Sequence, residues 1–552
     1  MVAGLIGISL GHHIFAADRH EPDPAHIKIL AINDFHGSLS AGRTVGNRPV
    51  GGAAVLASYL KAAQTGWEDR TVLVHAGDHV GASPPVSALL QDEPAMMFLN
   101  LLANEHCAVA DRHNPHCNVV GTPGNHEFDE GQDELKRLLD GGTHLKGPFL
   151  EAPYEGIRFP YVSANVVGSE QHRSLFPPYV VKSVGSVRVG FIRAVLNGAR
   201  SLVSPSGIVG LAFLDEAEAI NRTVEELRAQ NVRVIVVLIH QGGEQAPYEG
   251  PTRPDGMVTG PIVDIVSRLD DEIDVVVSGH THRFTNALLR NGHGKEMLVT
   301  QAFSYGSAYA DIELGIDQAS QDVLFKSARI ITTFADEEPG THPDQAVLRL
   351  VAQAEATVAP KVARVVGQVA ADISRIQNEA GESPLGNLIA DAQRWAMKTD
   401  IAFMNRGGIG DDLHRGNVMW GDVLHVHRFG NTLIRMELTG QQIYDVLNQQ
   451  WLNQDVPRML QLSGLSYTWD SRRPMDDRIV EIRMNGAPID RQQTYSVAVN
   501  SYLAEGGDRF TLFTQGGNRV GGPPDGDALI AYIQSRSEPI SASIEGRIQR
   551  LN

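Results

Sequence analysis

Cysteine is scarce: two in 552 residues, which excludes a disulfide-built scaffold and a four-cysteine zinc module. Cys107 and Cys117 stand ten residues apart among His106, Asp111, His113 and His116. That spacing leaves open a loop-closing disulfide, two free thiols or a small auxiliary zinc site. Positive charge is short as well. Lys+Arg number 47 against 65 Asp+Glu, a net charge of −18, so no nucleic-acid polymer is expected as partner. Small phosphate substrates stay open, because a local metal site reverses the field inside one cleft. Beyond residues 1–17, no stretch approaches the roughly 20 apolar residues of a membrane-spanning helix, so no stable membrane insertion is expected. The first residues end in Phe15-Ala16-Ala17 and read as part of a leader, residues 1–25. They lack a basic start, and His12 and His13 interrupt them, yet they predict a periplasmic or secreted protein. The polar tail, 545–552, carries no lipid-anchor signal, and neither a repeat nor a low-complexity tract occurs.

A composition of 42% hydrophobic residues is globular, and the length exceeds what one core usually serves, so two domains are expected. Residues 26–335 alternate short β-branched runs with helix-like stretches. An acidic Pro/Gly punctuator at 335–340 opens a linker, 336–365. There Thr341 or Asp344 is available to cap a helix with Val347, Leu350, Val351, Ala354 and Val358 on one face and Pro360 at its end. A second unit, 366–552, follows. In it, Thr439 caps a helix read through Trp451, Asn485-Gly486 marks a hairpin, and Tyr495, Val497 and Val499 alternate along a strand that leads to Asn500.

The informative pattern is where the first unit's strands stop. One runs into Asp34-Phe35-His36, a second into Asp78, a third into Gly124-Asn125-His126, a fourth into His240, and a fifth into Gly279-His280-Thr281-His282. Such runs fit an α/β class with the sheet covered on both faces, where ligands bind beyond the carboxyl ends of the strands. Asp34 and His36 are two apart, so on an extended strand end they face the same side and grip one ion. His280 and His282 have the same relation and serve one ion or divide between two. Two carboxylates, one amide and four imidazoles suit first-row divalent ions (Mn, Zn, Co or Fe) better than calcium or magnesium alone. Seven ligands exceed one tetrahedral site and suit two metals that share a carboxylate.

These blocks resemble the calcineurin-like metallophosphoesterases, and the wider context resembles the two-domain 5′-nucleotidase family. That family includes periplasmic UDP-sugar hydrolases and 2′,3′-cyclic-nucleotide phosphodiesterases. Supporting stretches are 159–166, Glu382-Ser383-Pro384-Leu385-Gly386-Asn387-Leu388, Asn405-Arg406-Gly407-Gly408-Ile409, Phe429-Gly430-Asn431 and Gly506-Gly507-Asp508, so the likeness spans 26–545. It implies an α/β fold with α+β character overall: a four-layer αββα metallophosphoesterase sandwich followed by an α/β 5′-nucleotidase substrate-binding domain. It also implies that Asp34, His36, Asp78 and His282 hold one metal, and Asp78, Asn125, His240 and His280 the other, with Asp78 bridging. His75 and His79, which flank Asp78, are read as packing or supporting residues.

The same resemblance makes His126 and Asp129 the catalytic pair. They share a face if the turn after Asn125 is helical. It further implies that Phe429 and Tyr502 sandwich the base, that Asp508 accepts from the ribose hydroxyls, and that Asn405, Arg406, Gly407 and Gly408 help bind substrate. The chain departs from the pattern at Gly410 and at Ala380-Gly381, where the family usually carries arginines, and in having Arg428 before Phe429; Arg406 or Arg428 is the substitute considered. The expected partner is a small-molecule nucleotide, with the protein a monomer or homodimer and the two domains rotating about 341–360. The expected activity is hydrolysis of nucleoside 5′-monophosphates through a metal-activated water. Alternatives on the same scaffold are 2′,3′-cyclic-nucleotide phosphodiesterase, nucleotide-sugar or dinucleotide pyrophosphatase, or a non-nucleotide, thiosulfohydrolase-like enzyme. A non-catalytic nucleotide-binding surface protein is the alternative of a different class.

Overall fold

The computed structural model describes residues 23–551 apart from 171, 172, 204, 255, 428 and 455. Residues 1–22 of the expected leader segment and Arg428 lie outside the described residues, while Ala25, the last residue of that expected segment, opens the first strand.

The N-terminal strands are apolar on both faces because each face meets a different core. From the strand Ala25–Ile32, Ile27, Ile29 and Ala31 enter one core while Leu30 and Ile32 enter another. From Val234–His240, Val234, Val236 and Leu238 enter the first core, and Ile235, Val237 and Ile239 enter a third. The shared core lies between two sheets. One sheet has the order Val323–Thr332, Ala308–Ile316, Ala25–Ile32, Thr71–His75, Val119–Val120. The other runs Phe284–Arg290, Glu296–Ala302, Ile273–Ser278, Val234–His240, Val187–Val195, Tyr179–Val184. Helices Ala53–Gln64, Glu93–Leu102 and Gln345–Val362 cover the first sheet, and Glu216–Ala229 and Pro261–Ser267 the second. This is the four-layer αββα arrangement. Fully buried Val, Leu and Ile side chains contribute about 1.5–3 kcal/mol each to holding it together.

The helix Gln345–Val362 buries Val347, Leu350, Val351, Ala354 and Val358 in the N-terminal unit. Asp344, not Thr341, caps it: its Oδ1 accepts from the Ala346 and Val347 amides, both at 3.0 Å, while the Thr341 hydroxyl donates to Glu338. Pro360 does not end the helix, which continues to Val362. A proline in the last turn forfeits one hydrogen bond, and little helix follows to be disrupted.

In the second unit, a sheet of order Gln461–Ser463, Ile401–Met404, Thr494–Asn500, Thr432–Thr439, Gly517–Pro524 carries helix Pro384–Met397 against one core and Gly440–Asn448 against the other. Thr439 and Gln442 form a reciprocal cap. That helix stops at Asn448, short of Trp451, where the Gln450 side chain donates to the Leu447 carbonyl at 2.8 Å and diverts the chain. Asn485 and Gly486, with φ of 50° and 80°, make the tight hairpin turn between Ile479–Met484 and Ala487–Pro488. Cys107 and Cys117 form a disulfide. Both sulfurs are used, so the zinc reading of that segment falls. Among the described residues, no helix is long and apolar enough to cross a membrane.

Candidate functional site

Two groups of side chains collect at the strand ends: Asp34, His36 and His282 in one, and Asp78, His240 and His280 in the other. Within each, the ligand atoms lie within 4.8 Å of one another. They converge by a different route from the one expected. Asp34, His36, Asp78, His280 and His282 have φ of 50°, 48°, 49°, 73° and 58°, so five of the seven expected ligands sit in the left-handed region, not on extended strand ends. Non-glycine residues there cost on the order of 1–3 kcal/mol each and persist only where surroundings fix them. Here the loops after two neighbouring strands are zipped together: Asp34 N–H donates to Gly77 O at 3.1 Å, His36 N–H to Asp78 O at 2.9 Å and Gly37 N–H to His79 O at 3.0 Å.

Carboxylates and one amide hold this backbone. Asp34 accepts from the His280 amide at 2.9 and 3.0 Å, which ties the two sheets together. Asn33 donates to Asp34 at 2.7 Å and accepts from the Ala302 amide at 2.9 Å. Buried Glu127 accepts from Asp78 N–H (2.9 Å), His79 N–H (2.8 Å) and Gly124 N–H (2.5 Å). Glu127 and Asn33 stand inside the recognised blocks, but nothing in their spacing pointed to these partners. Gly124 is required by closeness: a Cβ there would lie 2.2 Å from Asp78 Oδ1.

The residues present fit metal ions. Nδ1 of His36 lies 2.9 Å from Gly81 O, and Nδ1 of His240 lies 2.7 Å from Ala76 O. A carbonyl only accepts, so each Nδ1 carries the hydrogen and each ring turns Nε2 toward the centre. His36 Nε2 is 3.2 Å from His282 Nε2 and 3.8 Å from Asp78 Oδ2; His240 Nε2 is 3.0 Å from the same oxygen. Burial pulls His36 down to about 3 and His280 to about 4, which leaves both without charge, whereas at His240 Asp78 and Asp34 outweigh burial and raise the imidazole to about 9. So many lone pairs at such range repel unless cations lie among them. Asn125 Oδ1 is buried without a hydrogen-bond partner, which is a costly state for an acceptor that has no cation. The two His/Asp groups are consistent with a dimetal centre, and Asp78 Oδ2, between His36 and His240, occupies the place a shared ligand needs.

Beside the centre, residues His126–Phe128 form a short 3-10 turn, and His126 Nδ1 lies 2.7 Å from Asp129 Oδ2. Burial works against charge on His126, but Asp129 and Asp78 outweigh it and raise the imidazole to about 10. His79 is buried with Nε2 2.8 Å from Ala95 O, stacked on Phe35. His75 is buried against His79 and Tyr161.

A cleft of about 1230 Å³ runs from His36, His126 and His282 to the second unit, where Asn405, Arg406, Gly407, Phe429 and Asp508 line it. Gly408 closes the turn Arg406–Gly408 that follows the strand Ile401–Met404. The structure pairs Phe429 with His126, ring centroids 5.6 Å apart and 19° from parallel, rather than with Tyr502. Tyr502 donates its hydroxyl to Asp508 Oδ1 at 3.1 Å and accepts from the Asp508 amide at 2.9 Å. Asp508 also accepts from Arg458 and from Asn405. Arg375, unnoticed in the sequence, lines the cleft beside Gly410 and donates to the Gly410 carbonyl, so a guanidinium stands where the family arginine is missing.

Residues 27–284 match the family described as calcineurin-like phosphoesterase, and residues 362–515 match the 5′-nucleotidase C-terminal domain. The chain is similar to Endonuclease YhcR of Bacillus subtilis, 35% identical over 544 residues that cover 97% of this chain and 41% of that protein. It is equally similar to Cell wall protein Lmo0130 of Listeria monocytogenes, 35% identical over 569 residues that cover 95% of this chain and 69% of that protein. Its fold superposes on the crystal structure of a 5′-nucleotidase precursor from Thermus thermophilus. The TM-score is 0.75 at 29% identity, covering 96% of this chain and all of that one (100%).

Proposed function

This chain belongs to the 5′-nucleotidase family of calcineurin-like metallophosphoesterases, and on that premise we propose that it releases phosphate from nucleotides, foremost nucleoside 5′-monophosphates. One observation carries the reading: the paired His/Asp groups face, across one cleft, a wall that bears Phe429, Arg406 and Arg375. Asp34, His36 and His282 would hold one divalent ion, and Asn125, His240 and His280 the other, with Asp78 shared. Manganese, zinc, cobalt or iron suits this donor set. When bound, such a pair polarises a phosphoryl oxygen and lowers the pKa of water.

The chain's own residues supply the rest. Asp129 orients the His126 ring through Nδ1 and stabilises its charge, so that Nε2–H donates to a phosphoryl oxygen or to the departing alkoxide. Acid assistance of this kind is typically worth ~10²–10⁴-fold. Phe429 covers the His126 ring and limits water around it, and it offers a flat apolar surface to a base. Arg375 and Arg406 attract the anionic substrate within a chain that is acidic overall. The disulfide and the likeness to a protein named for the cell wall support an extracytoplasmic location.

A second reading, cleavage of phosphodiesters, is favoured by the likeness to a protein named as an endonuclease, of which this chain spans 41%. A panel of AMP, 2′,3′-cyclic AMP, UDP-glucose and bis(p-nitrophenyl) phosphate with added manganese separates the two. The expected result is phosphate release from AMP that is lost on chelation and in Asp78→Ala. Undiminished release under both conditions removes the dimetal reading, and turnover of the diesters without AMP favours the second.

A further inference from the structure

The cleft wall on the second unit carries Arg375, Arg406 and Arg458 among its lining residues, with Asp411 and Asp508 as the carboxylates. Asp508 is the group placed to accept from sugar hydroxyls, yet its oxygens are already engaged. Oδ1 accepts from Arg458 Nη1 and from the Tyr502 hydroxyl, and Oδ2 accepts from Asn405 Nδ2 at 3.1 Å. Asn405 is itself held by Asn500 Nδ2, which donates to its Oδ1 at 2.9 Å. A carboxylate offers about four lone-pair sites. Three are taken here, and the side chain is 8% exposed.

What the cleft meets at this place is therefore the guanidinium end of Arg458, whose side chain is 32% exposed and lines the cleft, while its Nε is buried without a hydrogen-bond partner. Arg406 is exposed in the lining of the same cleft, and among the described residues its side chain has no partner. A guanidinium cannot lose its proton and presents only donors, in a fork that matches phosphate. Its bond to an anion is about twice as strong as one between neutral groups.

Resting on the nucleotide reading above, we infer that Arg458 converts the sugar-side subsite from one that reads hydroxyls to one that reads an anion. With Arg406, it takes a second phosphate carried on the far side of the sugar from the scissile phosphate. A diphosphate keeps its two phosphates adjacent at the His/Asp wall, whereas a 3′-phosphate is carried by the sugar toward the opposite wall. The substrate class is a 5′-phosphorylated nucleoside with a 3′-phosphate, either free or within a phosphodiester.

The test measures kcat/KM of the full, manganese-loaded chain for release of the 5′-phosphate from AMP, 2′-deoxy-AMP, ADP, adenosine 3′,5′-bisphosphate and a 5′-phosphorylated dinucleotide. AMP and 2′-deoxy-AMP are expected within about threefold of each other, since the one acceptor site left on Asp508 belongs to a side chain only 8% exposed. The bisphosphate is expected to exceed AMP by about tenfold or more. The dinucleotide shows whether a diester serves as well as a free phosphate. Arg458→Met frees Asp508, so preference for ribose over deoxyribose should rise about tenfold while preference for the bisphosphate falls. Arg406→Ala, at an exposed side chain without partners, lowers the bisphosphate preference and keeps the test standing if Arg458→Met does not fold. Equal constants for AMP and the bisphosphate, a faster ADP, or strong rejection of 2′-deoxy-AMP by the wild type each overturn the inference and leave nucleotide hydrolysis intact. No release from any of these nucleotides, with bis(p-nitrophenyl) phosphate cleaved, removes the nucleotide reading and this inference with it.

Discussion

Lys182 shows how far a single side chain is pushed in this protein. It lies on the edge strand Tyr179–Val184 and is 1% exposed, and its ammonium donates to Asn114 O at 2.7 Å. Burial, helped by the positive charge of Arg193, pulls it down to about 7. The unfolded chain therefore binds a proton there that the folded chain releases between pH 7 and the ordinary lysine range near 10.5. Stability from this site accordingly rises as pH rises through that window, and below it the cost is constant. Lys182→Met removes the cost: its melting midpoint at pH 7 should exceed the wild type's, with the two curves converging as pH passes the ordinary lysine range. A variant less stable than wild type at pH 7 counts against this account. The gathering of the two His/Asp groups could be read from sequence because Asp and His at successive strand ends have few structural uses in such number. Their left-handed backbone could not, since φ at Asp34 or His282 is set by neighbours far along the chain. For the same reason, the engagement of Asp508 by Arg458, fifty residues away, left no trace in local pattern.

At the scale of elements, sequence signals worked where the physics is local. The apolar stripe of Gln345–Val362, the reciprocal cap at Thr439 and the Asn485-Gly486 turn each depend on a few consecutive residues. The ends were less legible, because Pro360 is tolerated in a last turn and Gln450 diverts the helix before Trp451. Asp344 has two duties: it caps Gln345–Val362 and accepts from Lys61 at 2.6 Å, on the helix packed alongside. Asp344→Ala should lower stability by about 1 kcal/mol, seen as an earlier denaturant midpoint with an unchanged slope. Thr341→Ala should change it little, which distinguishes the two candidate caps.

At the scale of the molecule, the two sheets meet through their loops as well as their core, since Asp34 and Asp78 follow strands of one sheet while His240, His280 and His282 belong to the other. Ions held among these groups would join the sheets and relieve the crowding of lone pairs. Chelation should therefore lower the melting midpoint of the N-terminal unit, and manganese should restore it. A ligand at 100 times its Kd adds about 2.7 kcal/mol. A calorimetric trace indifferent to chelator would argue that the ions contribute nothing to holding the sheets together. The two-unit plan was legible through its motifs, whereas the meeting of Phe429 with His126 was not, because it depends on how one unit is set against the other.

That meeting also bears on timing. On the proposed reading of His126 as proton donor, a ring from one unit lies over the donor of the other, so parting the units would wet the imidazole and rejoining them would dry it. The acid would then be at full strength with the gap shut, and product would leave past a donor returned to water.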